Sequence, residues 1–309
     1  MFRKMLLVLL LFASSTLNSN ATELKLAFVG DILLARQVGR NIVSSGTDYP
    51  LAKVAPILKS ADIAFGNFEC TLSGQHITGS NKQLVFRAPA KFAAAVASGG
   101  IDIVSLANNH LLDAGRNGII STIKSLESAG IKTVGAGRNL SEAYTYRIIV
   151  TKEVKVGFLA FTDIANIGLA KAKALPNRPG VAIASNLDHL KDCITSAKKR
   201  CDLLVVSFHF GNEYQKQPSK RQRLLAHFAL SSGADIIIGH HPHVLQPVVQ
   251  LNGKTIAYSL GNFVFDNHRP SRARTEILIV NYDTITRRQT IQIIPCYIRH
   301  CQPQLLARF

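Results

Sequence analysis

The chain has 309 residues, 47% of them hydrophobic, with 36 lysines and arginines against 19 aspartates and glutamates and a net charge of +17. That length, with no Pro/Ser-rich linker, low-complexity run or internal repeat, excludes a string of small modules and fits one large domain with a sizeable core. The basic surplus favours acidic partners, but aromatic residues are not interleaved with Lys198-Lys199-Arg200, Lys220-Arg221 or Arg287-Arg288, so no nucleic-acid partner is expected.

Met1 to Ala21 reads as an export signal. Arg3 and Lys4 make a positive start, Met5 to Ala13 is apolar but too short to span a bilayer, and Ser19-Asn20-Ala21 supplies small residues for cleavage. The expectation is a signal peptide at residues 1–21 and one domain over 22–309, periplasmic or secreted, with no later stretch of membrane-helix length. Apolar runs at Leu24–Val29, Asp62–Phe65, Ile101–Leu106 and Leu203–Phe208 predict buried strands. Helical patterns alternate with them at Ala52–Ser60, Pro89–Ser98, Gly118–Ala129, Asn186–Lys199 and Lys220–Ser232. Such alternation argues for parallel sheet covered by helices.

A second texture is interleaved with the first. Tyr146–Val150 with Val154–Phe161, Val244–Gln250 with Thr255–Tyr258, and Ile277–Tyr282 with Gln289–Ile294 predict hairpins; the Asn252-Gly253 pair is a strong turn signal for the second. The fold class is therefore α/β, with mixed rather than purely parallel sheets. Among five cysteines, Cys193–Cys201 or Cys296–Cys301 could close a short disulfide loop in an exported chain, leaving Cys70 as the odd one.

Each strand-like run ends in a compact polar cluster. Gly30-Asp31 follows the first, Gly66-Asn67-Phe68-Glu69 the second, and Asn108-Asn109-His110 with Asp113 the third. His209, Glu213 and Tyr214 follow the Leu203 run. Ile236-Ile237-Ile238-Gly239 delivers His240, His241 and His243, and Thr255–Tyr258 runs on to Asn262 and Asp266. Side chains at the carboxyl ends of parallel strands meet in one crevice. An extended His241-Pro242-His243 would put both rings on one side.

Carboxylate, carboxamide and imidazole donors are the ligand set of Zn²⁺, Mn²⁺ or Fe²⁺, and a shared carboxylate can bridge two such ions. Taken singly the residues have blander uses. Asp31 suits the cap of a helix starting near Leu33, Asn67 and Asn262 suit turns, Asp113 suits a cap, and Glu213 suits a surface pair with arginine. Their convergence is what points to a site; His76, His189, His227, His268 and His300 lack that context.

The chain resembles the CapA family of capsule-synthesis, or poly-γ-glutamate, proteins, whose domain is similar to calcineurin-like metallophosphatases. The resemblance is carried by FVGDILLAR from Phe28, GNFECTL from Gly66, FRAP from Phe86, ANNHLLDAG from Ala107, HFGNEY from His209, GHHPHVLQP from Gly239 and YSLGNFVFD from Tyr258. Any one is weak; the ordered set is specific and runs over most of the chain. It implies a four-layer sandwich of two mixed β-sheets flanked by helices. It implies Asp31, Glu69, Asn109, His209, His241 and His243 as ligands of one or two divalent ions, with Asn67 competing for the bridging place of Glu69, and His110 as the acid. Asn67, Arg87, Asp113, Glu213, Tyr214, His240 and Asn262 are candidates for supporting or substrate contacts. One departure stands out: the metallophosphatase pattern opens with Asp-x-His, and Leu33 occupies the histidine's place, which weighs against dinuclear loading and ordinary phosphatase activity.

Three functions compete. The resemblance favours metal-dependent hydrolysis or transfer of γ-glutamyl amides in an anionic envelope polymer such as poly-γ-glutamate. A phosphoesterase would use the same site. A non-catalytic partner of capsule synthesis or export membrane proteins would use the cleft only for binding.

Overall fold

The computed structural model describes residues 23–74, 85–266 and 269–306. The expected signal segment lies outside the described residues. Among those described, no helix is long and apolar enough to cross a membrane.

Two mixed sheets form the centre. The first runs, in spatial order, Gln302–Leu305, Gln289–Arg299, Arg274–Asp283, Glu23–Ile32, Ile63–Phe68, Ile103–Ser105 and Lys132–Val134, with Asn262–Val264 added beside the end of the Glu23 strand. The strands from Glu23 to Lys132 are parallel, and the three C-terminal ones are antiparallel. The second sheet runs Leu245–Leu251, Lys254–Leu260, Ile236–His240, Leu203–His209, Val154–Thr162 and Arg147–Thr151. Its inner four strands are parallel and each edge is a hairpin partner.

Period-2 alternation sorts the side chains into three apolar layers. Leu24, Leu26, Phe28, Ile63, Phe65 and Ile103 from the first sheet meet Phe158, Val205, Ile236 and Ile238 from the second, with Phe65 stacked on Phe158. The alternate residues Ala27, Val29, Ala64 and Val104 face the helices over the first sheet. Leu204, Val206, Phe208 and Ile237 face Leu190, Ile194, Leu225 and Ala229 of the helices Leu187–Lys198 and Lys220–Ser232. Three layers between four sets of elements make the expected four-layer sandwich.

Local signals explain the boundaries. Asn186 accepts from the His189 N–H at the start of the Leu187 helix, and Ser219 with Gln222 forms a complete capping box at the start of the Lys220 helix. All three expected hairpins form, and left-handed Asn252 (φ 51°) and Gly253 (φ 75°) turn the second. The Asp62–Phe65 run extends to Phe68, because Asn67 pairs in register with Asp31 on one side and Ser105 on the other. The Ala52–Ser60 helix shortens to Ala55–Lys59, with Pro56 in its first turn.

The cysteine pairings are corrected: all five thiols are free. The Cys201 Sγ turns to the carbonyl of Ala197 and its side chain packs against Gly157, while Cys193 faces Tyr144. The Cys296 Sγ points to its own strand at the carbonyl of Ile294. Sequence shows only that these pairs lie near one another along the chain, and a bridge also needs a specific side-chain geometry.

Candidate metal centre and active site

The carboxyl ends of both sheets come to one place. The Glu23 strand is drawn to the second sheet there: the Asp31 N–H donates to the Gly261 carbonyl at 3.0 Å. A Cβ on Gly30 would lie 1.9 Å from that same oxygen, so only glycine admits the approach that delivers Asp31. Asp31 lies inside its strand, and the next helix begins at Arg36, so it caps nothing. Leu33, in the place of the missing histidine, is fully buried in the helix-facing apolar layer.

Asp31, Asn67, Glu69, Asn108, Asn109, His110, His209, His240, His241, His243 and Asn262 are all buried. Asn67 Nδ2 donates to Asp31 Oδ1 at 2.9 Å and lies 3.3 Å from His209 Nδ1, crossing the seam between the sheets. The His209 Nε2 meets Asn109 Oδ1 at 2.8 Å and stands 3.9 Å from Glu69 Oε1. His243 is held by Asn262 Oδ1 at 2.8 Å, with Asp31 Oδ2 at 3.3 Å and Glu69 Oε1 at 3.8 Å from its ring nitrogens. One donor atom each from Asp31, Glu69 and His243 fall within 4.8 Å of one another. The ring of His241 lies 4.8 Å from that of His209 and 5.8 Å from that of His243.

His241-Pro242-His243 is not extended, which corrects the expectation. His241 (φ 96°) and His243 (φ 57°) are left-handed, a conformation rarely adopted by residues with a Cβ. Two reversals around the proline still bring the two rings within 5.8 Å of each other. Such local strain persists where surrounding structure over-determines it, as at binding sites.

His110 sits apart from the carboxylates. Its Nδ1 bonds Asp113 Oδ2 at 2.8 Å, its ring stacks on Phe86 at 3.9 Å, and its backbone N–H donates to Asn108 Oδ1. Ring, tautomer and position are thus fixed. Arg87 is exposed and donates from Nε to the Asp113 carbonyl. Glu213 and Tyr214 are exposed at the rim; the Tyr214 ring lies 6.3 Å from His243 and its N–H donates to the Pro242 carbonyl.

Electrostatics mark the centre. Burial favours the neutral acid at Asp31, yet the rings of His240 and His243 hold it well below the usual carboxylate range. Burial and the charge of Asp31 push Glu69 well above that range. Burial and His241 drive His209 well below the imidazole range, and burial with His243 lowers His241 to about 4. Burial opposes ionisation of His243 too, but Glu69 and Asp31 raise it to about 9. Divergent pKa values in one cluster are a mark of functional sites.

Three contributors had no role assigned from sequence, although Asn108 stands in one of the polar clusters. Asn108 Nδ2 donates to Asn67 Oδ1 and to the Phe68 carbonyl, locking two strand ends together. Asn166 Oδ1 accepts from Asn109 at 2.9 Å; it lies in the loop after the Val154 strand, a strand end that could have drawn notice. Arg36 pairs with Asp266 at 2.9 Å and stands over Phe86, a link no local pattern signals. His240, expected only in support, has no hydrogen-bond partner at either ring nitrogen, although its Nδ1 stands 3.3 Å from Asp31 Oδ1, so it is a further candidate donor.

Asp31 Oδ2, both Glu69 oxygens, both His240 nitrogens and His241 Nδ1 are buried without hydrogen-bond partners. Leaving such atoms unpaired is costly, and a cation among them satisfies several at once. The donor set therefore fits a divalent metal. Two mixed sheets under helices, with this cluster at their joined strand ends, define a metallophosphatase-like domain. The fold is similar to that of a phosphatase from Mycoplasma pneumoniae (TM-score 0.56, 16% identity, 89% of this chain and 94% of that one). It is also similar to a hypothetical protein of Thermus thermophilus (TM-score 0.52, 15% identity, 89% of this chain and 100% of that one).

The bacterial capsule synthesis protein PGA_cap family model matches residues 25–267, and the chain belongs to that family. It is 35% identical over 289 residues to the capsule biosynthesis protein CapA of Bacillus anthracis, covering 91% of this chain and 69% of the relative. It is 36% identical over 247 residues to the PGA biosynthesis protein CapA of Bacillus subtilis, covering 79% of this chain and 63% of the relative.

Proposed function

We propose that this chain is an exported, metal-dependent enzyme of poly-γ-glutamate capsule or envelope-polymer metabolism that hydrolyses or transfers γ-glutamyl amide bonds. The observation that carries the reading is the set of unpartnered buried donors at Asp31, Glu69, His240 and His241, beside the oriented His110–Asp113 pair. The names of the Bacillus relatives supply the polymer class.

Asp31, Glu69 and His243 would hold the ion, with Asn109, His209, His240 and His241 as further donors; manganese, zinc and iron all suit the set. When bound, such an ion polarises a carbonyl and makes water a stronger nucleophile. The chain's own contribution is positional. Asp113 accepts from Nδ1 of His110 and leaves Nε2 as the nitrogen that would protonate a leaving amine or donate to a developing oxyanion. Asn262 orients His243 from its Nδ1 side, and Asn67 spaces Asp31 from His209. The basic surface guides a polycarboxylate to the cleft.

Elemental analysis of the purified protein, then turnover of γ-glutamyl oligomers against phosphoesters, tests the reading. Bound metal with γ-glutamyl turnover supports it. Preference for phosphoesters replaces the substrate class, and a metal-free, inert protein replaces catalysis with a binding role beside membrane export proteins. Export itself is tested by N-terminal sequencing: a mature chain starting near Thr22 is expected, and an intact Met1 on a cytosolic protein refutes it.

A further inference from the structure

Beside the histidine loop lies a second feature that the metal centre does not use. A surface cavity of about 420 Å³ is walled by Lys216, Val244, Leu245, Pro270, Ser271 and Arg274. Its wall is continuous with the site: Val244 and Leu245 follow His243 directly. The carbonyl of Arg272 accepts from Asn262 Nδ2 at 3.3 Å, and Asn262 in turn holds His243. The Arg272 guanidinium stacks 3.5 Å over the Tyr214 ring, which itself faces His243. Lys216 and Arg274 are exposed, while Val244 is buried and Leu245 half-buried. Two cations and apolar side chains thus share one lining, and Glu213 is the acid on the same loop as Lys216.

We propose that this cavity is a subsite for the carboxylate-bearing stretch of polymer next to the reacting amide. The inference rests on the reading of the substrate as a γ-glutamyl chain. Each residue of such a chain carries one α-carboxylate, with methylenes and an amide between it and the next. A lining that combines two cations with apolar side chains suits that mixture of charge and methylene. A phosphomonoester head, which concentrates its charge at one point and brings no methylenes, leaves the apolar side chains unused.

The test uses the full chain, metal-loaded, at physiological salt. Fluorescence anisotropy follows a fluorescein-labelled γ-glutamyl decamer and its α-carboxamide counterpart. The K216Q/R274Q double variant is compared with K199Q/R200Q, which removes the same charge at the opposite end of the Leu203 strand from the site. Loss of two exposed charge contacts is expected to weaken decamer binding about tenfold. The control variant and the metal content should be unchanged, and the carboxamide decamer should bind wild type as weakly as the decamer binds the double variant. Equal binding by the double variant, or an equal loss in the control, overturns the subsite and leaves the amide reading standing. Failure of wild type to bind either decamer overturns both.

Discussion

Glu69→Gln separates the metal hypothesis from a purely structural cluster. The donor atoms of Asp31 and Glu69 lie within 4.8 Å of each other, both buried. At that distance two ionised carboxylates repel by about 3.5 kcal/mol at an effective dielectric constant of 20. Burial first, and this repulsion second, hold Glu69 well above the usual carboxylate range, so the metal-free site favours keeping its proton. The isosteric amide removes either cost, so the metal-free variant should be more stable than wild type, by an amount comparable to that repulsion, about 3.5 kcal/mol. Wild type should gain about 2.7 kcal/mol at a hundredfold excess of metal over Kd. At about 2 °C per kcal/mol that is a melting shift of about 5 °C. The variant should show little metal-dependent shift. Thermal denaturation with and without chelator, then across a manganese or zinc series, measures both halves. A variant less stable than wild type without metal, yet keeping the full metal shift, would falsify the reasoning.

Other expectations follow from single contacts. His110→Gln should lower kcat on γ-glutamyl substrate by about a hundredfold or more with metal content unchanged, and Asp113→Asn should lower it less; loss of metal in either refutes the assignment. Gly30→Ala should cost about 3 kcal/mol in urea denaturation, because the new Cβ meets a backbone oxygen that cannot swing away. Glu276, raised to about 7 by burial, keeps a proton in the folded state that the unfolded chain releases above its ordinary pKa near 4.5. Stability therefore falls as pH rises from about 4.5 to 7, and Glu276→Gln should match wild type at pH 4 but exceed it by about 3 kcal/mol at pH 8; an equal difference at both pH values refutes this.

Local pattern made much of this molecule legible. The buried runs, the hairpins and the Asn252-Gly253 turn are short-range signals, and they placed the elements well. The polar clusters at strand ends were equally local, so Asp31, Asn67, Glu69, Asn109, His209 and His243 emerged as neighbours before any coordinates. What escaped reading depends on contacts distant in sequence. Asn67 reads as a turn residue after its strand, but ladders on both sides keep it within the sheet. The left-handed His241 and His243 are set by their surroundings, since no propensity favours histidine there. Arg36–Asp266 and Asn109–Asn166 join segments with no shared pattern. The spacing of Cys193 and Cys201 suggests a bridge, yet both thiols are free, because proximity along the chain does not fix disulfide geometry.

The position of the Glu23 strand has a consequence for how the chain reaches this state. It is the first described strand, yet it lies in the middle of its sheet, with Leu24 paired to Tyr282. Until the Arg274 strand arrives, one edge of a segment made of Leu24, Leu26, Ala27, Phe28 and Val29 has no partner. Closing a loop of that length costs about 5 kcal/mol in chain entropy beyond the constant for any loop. Pairings so distant in sequence slow folding and leave edges exposed to other chains. The N-terminal strand must therefore wait for the far end of the polypeptide, and a chain truncated before Arg274 retains a permanent sticky edge.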